Sequence, residues 1–104
     1  MSQDIWTRAA RGQQCMVRIP NVCNFNPETT ILAHYRLAGT CGMGIKPHSL
    51  IGSWACSSCH DLIDGRRSSA FTREQLDLMH LEGMVRTLDQ LVKQRLLGGK
   101  SLKA

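Results

Sequence analysis

The chain has 104 residues, only 5% of them aromatic, and its 13 Lys and Arg against eight Asp and Glu give a net charge of +5. This length predicts one domain, residues 1–104, whose small core would gain from a bound metal. No apolar run is long enough for a signal peptide or a membrane span, so we expect a cytoplasmic protein without a membrane partner, and its positive charge suits a polyanion.

The first third of the chain is predicted to form one helix and two strands. Residues 3–13 combine apolar and basic side chains at helical spacing, and Gly12 is expected to end this helix. Residues 15–19 and 29–34 are rich in β-branched and apolar side chains, which predicts two strands. The intervening residues 20–27 are dense in proline and asparagine, which predicts a turn that reverses the chain.

The middle of the chain is predicted to be a long loop that leads into a strand and a helix. Glycines recur through residues 35–53, which lack a clear periodicity. The apolar residues between 50 and 55 indicate a strand. A helix should then run from about Ser57, whose hydroxyl is expected to cap the first N–H groups, to residue 63 or 64, before Gly65 ends it.

The last third predicts a long amphipathic helix over about residues 72–97. Thr72 and Gln75 form a capping-box pattern at its start. Its apolar residues recur at steps of three and four, namely Leu78, Leu81, Val85, Leu88 and Val92. Because such stripes usually face a core, we expect this one to pack on the rest of the domain, with a homodimer seam as the alternative.

The cysteines predict a metal site. In a reducing compartment, five cysteines argue against disulfides and favour metal binding, reactivity or burial. Cys56 and Cys59 have the spacing with which a single turn binds a tetrahedral ion, and Cys15 and Cys23 flank a predicted turn that can bring in a second pair of thiols. We therefore predict a structural zinc ion on these four residues, contributing on the order of 10 kcal/mol to folding.

Other interpretations of the cysteines remain open. Cys15 and Cys23 could be ordinary buried thiols, and Cys41 could replace one of them as a ligand. His60 extends the downstream pair to Cys-x-x-Cys-His, which is also the attachment pattern of c-type haem. The haem interpretation requires export to an oxidising compartment and leaves the upstream cysteines without a role.

Two histidines are candidates for catalysis. His34 lies at the end of the second predicted strand, and His60 lies in the first turn of the helix that follows the loop. If the strand from about residue 50 to residue 56 pairs with the strand that ends at His34, both imidazoles reach one cleft. One neutral imidazole can accept a proton from water while the other holds a divalent ion on a phosphate. Asp64, one turn beyond His60, could be a second ligand or could orient that ring.

These residues carry a family resemblance over about residues 8–65. The motifs that resemble HNH, or His-Me finger, nucleases are Ala33-His34, Ser49-Leu50 and Cys56-Ser-Ser-Cys59-His60. More specifically, residues 15–34 and 55–64 look like the YbcO-type nucleases of phages and prophages. The resemblance implies a small α+β fold with a zinc-stapled ββα-metal core over about residues 14–66, preceded by a short helix and followed by the long amphipathic helix.

The resemblance also implies roles for individual residues. In such nucleases the histidine at the strand end is the general base, the helix histidine binds a catalytic divalent metal, and cysteines hold a separate structural zinc. Here it assigns the base to His34 and a Mg²⁺ or Mn²⁺ ion to His60, with Asp64 as a further ligand. The zinc ligands it implies are Cys15, Cys23, Cys56 and Cys59.

Two positions depart from the HNH pattern. Ala33 stands where many members have a polar metal ligand, and Ser49 aligns with the asparagine that orients the base. Asp61 and His48 are therefore additional candidate ligands. The departures also favour an alternative function, a zinc-stabilised protein of the same fold that binds nucleic acid or acts as an adaptor without catalysis.

The combined prediction is an endonuclease that hydrolyses phosphodiester bonds in DNA. Arg36, Arg66 and Arg67 are candidates for contacts with the phosphate backbone. An arginine pair after a helix is also typical of a solvated turn, so this interpretation is left open for Arg66 and Arg67.

Overall fold

The computed structural model describes residues 5–37, 39, 44 and 47–94. Over this part of the chain the fold is α+β, with helices around a two-stranded sheet. The elements in chain order are α1 (Ile5–Ala9), a 3-10 turn (Pro27–Thr29), β1 (Ile31–His34), β2 (Gly52–Ala55), α2 (Ser57–Ile63) and α3 (Arg73–Lys93). Cys41 and the predicted helical residues beyond 94 lie outside the described part of the chain.

The two strands pair with each other, as the proposed cleft requires, and the pairing is antiparallel. Ile31 lies opposite Ala55, and His34 lies opposite Gly52. Gly52 permits this close pairing because a Cβ at that position would lie 2.7 Å from the carbonyl oxygen of Ala33. The register therefore fixes His34 at the end of the sheet, where the chain leaves β1.

The predicted strand over residues 15–19 is wrong, because this segment is a loop. The Met16 N–H donates to the Trp54 carbonyl at 2.7 Å, so the loop touches β2 at this point. Pairing cannot continue through Arg18, whose φ of 55° is left-handed and incompatible with a strand. The Arg18 N–H donates instead to the sulfur of Cys15 at 3.5 Å. A turn around this sulfur thus overrides the β preference of Val17 and Ile19.

The core consists of two clusters of buried side chains. One surrounds the cysteines and includes Val17, Ile19 and Leu62. The other is centred on Trp54, which is 1% exposed, and receives Trp6 from the short helix α1. All four residues of β2 are buried, whereas in β1 only Ala33 is, so β2 is the inner strand of the sheet.

Helix α3 packs against the interior through a face of small and polar residues. We call residues 15–23 the cysteine loop. A Cβ on Gly83 would lie 2.8 Å from Cγ2 of Val17 in this loop, so only glycine at this position lets the helix come so close. The Thr87 hydroxyl accepts the Trp54 N–H at 2.9 Å and donates to the Gly83 carbonyl at 2.8 Å. This hydroxyl therefore satisfies a buried backbone N–H of β2 from the helix.

The predicted core-facing stripe of α3 is exposed, so that prediction was wrong. Its five residues, Leu78, Leu81, Val85, Leu88 and Val92, are between 37% and 67% exposed. The buried positions are Leu76, His80, Gly83, Thr87 and Leu91. The buried face includes small and polar residues because α3 lies so close to β2 and the cysteine loop. Hydrophobic periodicity does not reveal such a face. None of the described helices combines the length and apolar character needed to cross a membrane.

Candidate metal centre and adjoining cleft

Two distant segments bring four cysteines together. Cys15 and Cys23 lie in the loop between α1 and β1, while Cys56 and Cys59 lie at the start of α2. Their sulfur atoms all lie within 4.8 Å of one another, which confirms the predicted meeting of the two pairs. Cys15, Cys56 and Cys59 are at most 5% exposed, and Cys23 is half-buried, so three of the four thiols are shielded from water.

The cluster fits a tetrahedral ion such as zinc. The sulfur atoms of Cys23 and Cys56 are 3.8 Å apart, and a tetrahedron with zinc–sulfur bonds of about 2.3 Å has edges of about 3.8 Å. Backbone N–H groups support the sulfurs, since Arg18 donates to Cys15 at 3.5 Å and Cys59 donates to Cys56 at 3.4 Å. Such bonds orient ligands and stabilise their thiolate forms.

The thiols shift one another's pKa. A hydrogen bond with Cys59 lowers the pKa of Cys15 to about 4. The same hydrogen bond, together with burial, raises the pKa of Cys59. Burial raises the pKa of Cys23 to about 11. The thiols therefore oppose one another's ionisation. A bound divalent cation would stabilise all four as thiolates.

The start of α2 belongs to this cluster. Its N-cap is Cys56, whose sulfur accepts the Cys59 N–H, and not Ser57 as predicted. The Ser57 hydroxyl instead accepts the side-chain amide of Asn24 at 3.1 Å, and the Ser57 N–H donates to Thr29 at 3.2 Å. These contacts join the loop that carries Cys23 to the helix that carries the second pair of thiols.

A cleft lies beside the metal centre, between the end of β1, the end of α2 and the first turns of α3. Its volume is about 520 Å³. It is lined by His34, Tyr35, Arg36, Ile63, Asp64, Arg66, Arg73, Asp77 and His80. The Arg73 guanidinium donates to the Ile63 carbonyl at 3.0 Å, which holds the start of α3 against the end of α2.

Of the residues predicted to act in catalysis, His34 and Asp64 line this cleft, and His60 contacts Asp64. Nε2 of His60 lies 3.1 Å from a carboxylate oxygen of Asp64, the i,i+4 pairing expected on one helix face. In a neutral ring whose Nε2–H donates to this carboxylate, Nδ1 would be the nitrogen with a lone pair for a metal.

The other predicted residues are placed unequally. Arg36 and Arg66 line the cleft, whereas Arg67 is absent from its walls. Arg66 pairs with Asp61 at 3.5 Å and with Asp64 at 3.3 Å, so its charge is already matched. His48 is exposed and uses Nδ1 to accept the N–H of Leu50 within its own turn.

His80 is a cleft residue that the sequence analysis missed. It is 2% exposed, its Nε2 donates to the Ala33 carbonyl at 3.0 Å, and its ring contacts Tyr35 edge-on with centroids 5.1 Å apart. Burial lowers its pKa, so the ring stays neutral at pH 7. Arg73 and Asp77 share its side of α3, and their spacing of four and three residues is the signal that could have revealed this face.

Comparison with known proteins places the chain in a family. A family model described as "Putative nuclease YbcO" matches residues 4–95. The chain belongs to the YbcO family. The matched segment includes the four cysteines, His34, His60 and all of α3, so both the metal centre and the cleft lie within the YbcO match.

Relatives in the YbcO family are close in sequence. The proteins named "Putative nuclease YbcO" from Escherichia coli (strain K12) and "Putative nuclease ybcO" from Enterobacteria phage 82 are each 56% identical to this chain over 80 residues. Each match covers 77% of this chain and 82% of the relative.

A solved structure resembles the fold. It is described as the structure of a putative bacteriophage protein from Escherichia coli str. K-12 substr. MG1655, and is 46% identical with a TM-score of 0.72. The match covers 86% of this chain and 98% of the other. The likeness therefore extends over most of the backbone of this chain.

Proposed function

We propose that this chain is a metal-dependent endonuclease of the HNH type that hydrolyses phosphodiester bonds in DNA, stapled by a structural zinc ion. The observation that carries the proposal is that His34 and Asp64 line one cleft, and that Asp64 lies 3.1 Å from His60 on the helix that also carries two of the four clustered cysteines. A base and a metal ligand close to one cleft are the minimum that metal-assisted phosphodiester hydrolysis requires. The nuclease name shared by the YbcO relatives supports the same class of reaction.

The structural ion would be held by Cys15, Cys23, Cys56 and Cys59. Their four sulfur atoms lie within 4.8 Å of one another and would fill all four coordination positions of the ion. Four protein ligands with no open position are typical of structural zinc, whereas catalytic zinc keeps a position for water or substrate. Its role would be to hold the loop of residues 15–23 on the start of α2. The first turn of α2, which carries His60, is thereby fixed relative to β1.

His34 is the proposed general base. Its imidazole lies at the end of β1 on the cleft wall, where a neutral ring nitrogen can accept a proton from an attacking water. His34 is attached to a rigid element, because the Tyr35 N–H that follows it donates to the Ile51 carbonyl at 2.9 Å.

His60 and Asp64 are the proposed site of a catalytic Mg²⁺ or Mn²⁺. Such an ion would neutralise charge on the scissile phosphate and its leaving oxygen. The hydrogen bond of 3.1 Å favours an orienting role for Asp64, whose carboxylate fixes the tautomer and direction of His60. Arg36, exposed at the rim of the cleft, is the proposed phosphate contact.

A second candidate function is an adaptor that binds nucleic acid without cleaving it. Among the residues that the structure describes, the four thiols are the only group of three or more possible ligand atoms that lie this close together. His60 and Asp64 thus lack a third such ligand nearby, and Ala33, buried at 1% exposure, supplies none. Water and phosphate oxygens would have to complete the coordination of a catalytic ion.

Nicking of supercoiled plasmid tests the proposal. With Mg²⁺ or Mn²⁺ added, the full chain is expected to produce nicked circles, and His34→Ala should reduce the rate by about 100-fold or more, because a general base contributes about 10² to 10⁴. Zinc content should be unchanged. His48→Ala is the matched control, since that histidine is exposed and outside the cleft walls.

The results separate the two candidate functions. Equal nicking by the wild type and His34→Ala would remove the base assignment. Binding of plasmid or single-stranded DNA without any product, with either metal, would select the adaptor.

A further inference from the structure

His80 is a buried side chain of α3 whose contacts differ from those of its neighbours on the same face. It is 2% exposed. Gly83 gives α3 its close approach to the cysteine loop, and the Thr87 hydroxyl binds the Trp54 N–H. An apolar residue of the size of histidine would fill this position without the cost of burying a polar ring. We therefore looked for the role of His80 in the hydrogen bond that it makes.

The hydrogen bond of His80 has a fixed direction. Nε2 lies 3.0 Å from the Ala33 carbonyl oxygen, and because a carbonyl can only accept, Nε2 carries the hydrogen. Burial lowers the pKa of His80, so the ring is neutral at pH 7. The ring is thus a neutral donor held in one tautomer.

The acceptor of this bond belongs to the peptide unit that carries His34. The Ala33 carbonyl and the His34 nitrogen are parts of one planar unit, so a bond to the oxygen orients the backbone from which the His34 side chain extends. Gly52 of β2 approaches the same unit, since a Cβ there would lie 2.7 Å from the Ala33 oxygen and 3.2 Å from Cα of His34. The unit is therefore held by His80 from α3 and by Gly52 from β2.

The residue after His34 contacts the same ring. The Tyr35 ring meets His80 edge-on, with centroids 5.1 Å apart and an angle of 60° between the planes. The Tyr35 N–H also donates to the Ile51 carbonyl at 2.9 Å. His80 thus contacts the residues on both sides of His34, and His34, Tyr35 and His80 all line the cleft.

We propose that His80 is a positioning residue for His34. By holding the Ala33 carbonyl and the Tyr35 ring, it keeps the His34 imidazole at the cleft wall. This inference rests on the proposed function, in which His34 is the general base. His80 acts through His34 and not on the substrate, because its Nε2 is already bonded to a carbonyl. A displacement of about 1 Å at a reacting group can cost about 100-fold in rate, so the effect on catalysis can be large.

A pair of substitutions at His80 isolates the hydrogen bond. His80→Leu and His80→Gln both remove the ring, but only glutamine keeps a donor. Its amide nitrogen lies the same number of bonds from Cβ as Nε2 of histidine, so it can reach the Ala33 carbonyl. A difference between the two variants therefore reports the donor and not the lost ring.

The kinetics of plasmid nicking are the first measurement. At saturating Mg²⁺ or Mn²⁺, His80→Leu should lower kcat by about 10- to 100-fold, because the base is displaced. The KM for plasmid should change by no more than about twofold, since no contact with DNA is removed. His80→Gln should recover most of the wild-type kcat.

Thr87→Val is the matched control for a loss of stability. Thr87 is also 2% exposed, and its hydroxyl joins the same helix to the sheet, but at Trp54 and away from the cleft walls. Its loss should lower the temperature of unfolding, as His80→Leu does, because a buried N–H of β2 loses its acceptor. At a temperature where both variants are folded, Thr87→Val should nick plasmid at the wild-type rate.

Nuclear magnetic resonance of the His34 ring is the second measurement, and it needs no cleavage. The imidazole nitrogen signals of His34 are identified by their loss in His34→Ala. They should shift or broaden in His80→Leu and stay close to their wild-type positions in His80→Gln and Thr87→Val. Zinc content and circular dichroism show whether each variant is folded. If His80→Leu does not fold, His80→Met replaces it, because methionine adapts to irregular sites and carries no donor.

Each result decides the role of His80. Unchanged His34 signals in His80→Leu overturn the proposal, as does nicking at the wild-type rate by that variant. Equal defects in the leucine and glutamine variants, or an equal loss of kcat in Thr87→Val, also overturn it. A wild-type chain that does not nick DNA overturns the nuclease proposal instead, and the His34 signals then decide the positioning role by themselves.

Discussion

Single residues decide how the cleft can hold a metal. Oδ2 of Asp64 lies 3.1 Å from Nε2 of His60 and 3.3 Å from the Arg66 guanidinium, so one carboxylate oxygen holds both the ring and the arginine. An acid in this position orients the histidine more readily than it binds the ion itself. His60 and Asp64 therefore have different roles in the proposed site, although they lie on the same helix face.

This difference leads to a prediction for Asp64→Asn. The variant keeps an acceptor for His60 but loses the negative charge, so the Mg²⁺ or Mn²⁺ concentration for half-maximal nicking should rise by about 10- to 100-fold. At saturating metal most of the rate should return, whereas His60→Ala should stay inactive. Asp61→Asn is the control, since its carboxylate contacts Arg66 and not His60. If Asp64→Asn were as inactive as His60→Ala at every metal concentration, Asp64 would be a direct ligand.

Spacing within one segment predicts part of the candidate site. It singles out Cys56 and Cys59 as a pair, His60 next to that pair in the first turn of the helix, and Asp64 one turn beyond His60. His80 was missed because its partners, the Ala33 carbonyl and Tyr35, come from a strand distant in sequence. Contacts of this kind depend on tertiary packing, which spacing within one segment does not encode.

At the scale of elements, local signals predicted the start of α3 and the end of α2, but not every helix end. Helix α1 ends at Ala9, before the predicted stop at Gly12, and the N-cap of α2 is Cys56 instead of Ser57. The capping box of Thr72 and Gln75 and the stop at Gly65, with its φ of 77°, are confirmed. The face of α3 was wrong because Gly83 and Thr87 are selected for close approach, not for hydrophobicity. The strand over residues 15–19 failed because a sulfur acceptor outweighed β propensity.

The close approach of α3 predicts the effect of Gly83→Ala. Alanine favours a helix by up to about 1 kcal/mol over glycine, but its Cβ would lie 2.8 Å from Cγ2 and 3.1 Å from Cα of Val17. The cysteine loop must shift, which costs about 1 to 3 kcal/mol. We expect a net loss of roughly 1 kcal/mol in the free energy of unfolding, measured by chemical denaturation with zinc present.

A double-mutant cycle with Val17 isolates this contact. Val17→Ala removes the nearest methyl group, so the two substitutions together should destabilise less than the sum of the single effects, by about 0.5 kcal/mol or more. Strict additivity, or a stabilising effect of Gly83→Ala alone, would show that the helix and loop do not press on each other at this point.

At the scale of the whole molecule, the metal centre is expected to dominate stability. A structural zinc site contributes on the order of 10 kcal/mol, comparable with the entire stability of a domain of this size. Chelation, or Cys59→Ser, should therefore abolish the cooperative thermal transition seen by circular dichroism. The His34→Ala, His60→Ala double variant is the control and should keep both its zinc and its transition. An unchanged transition in a sample shown to be free of metal would contradict a structural role.

The cysteine cluster and the sheet each join the same two parts of the chain. Two of its thiols and β1 precede residue 38, while the other two thiols and β2 follow residue 46. Each part thus brings half of a ligand set and half of a sheet, and neither half is complete alone. A polypeptide severed between these parts would be expected to remain a single particle, because one ion and one strand pair would rejoin the fragments without a covalent link.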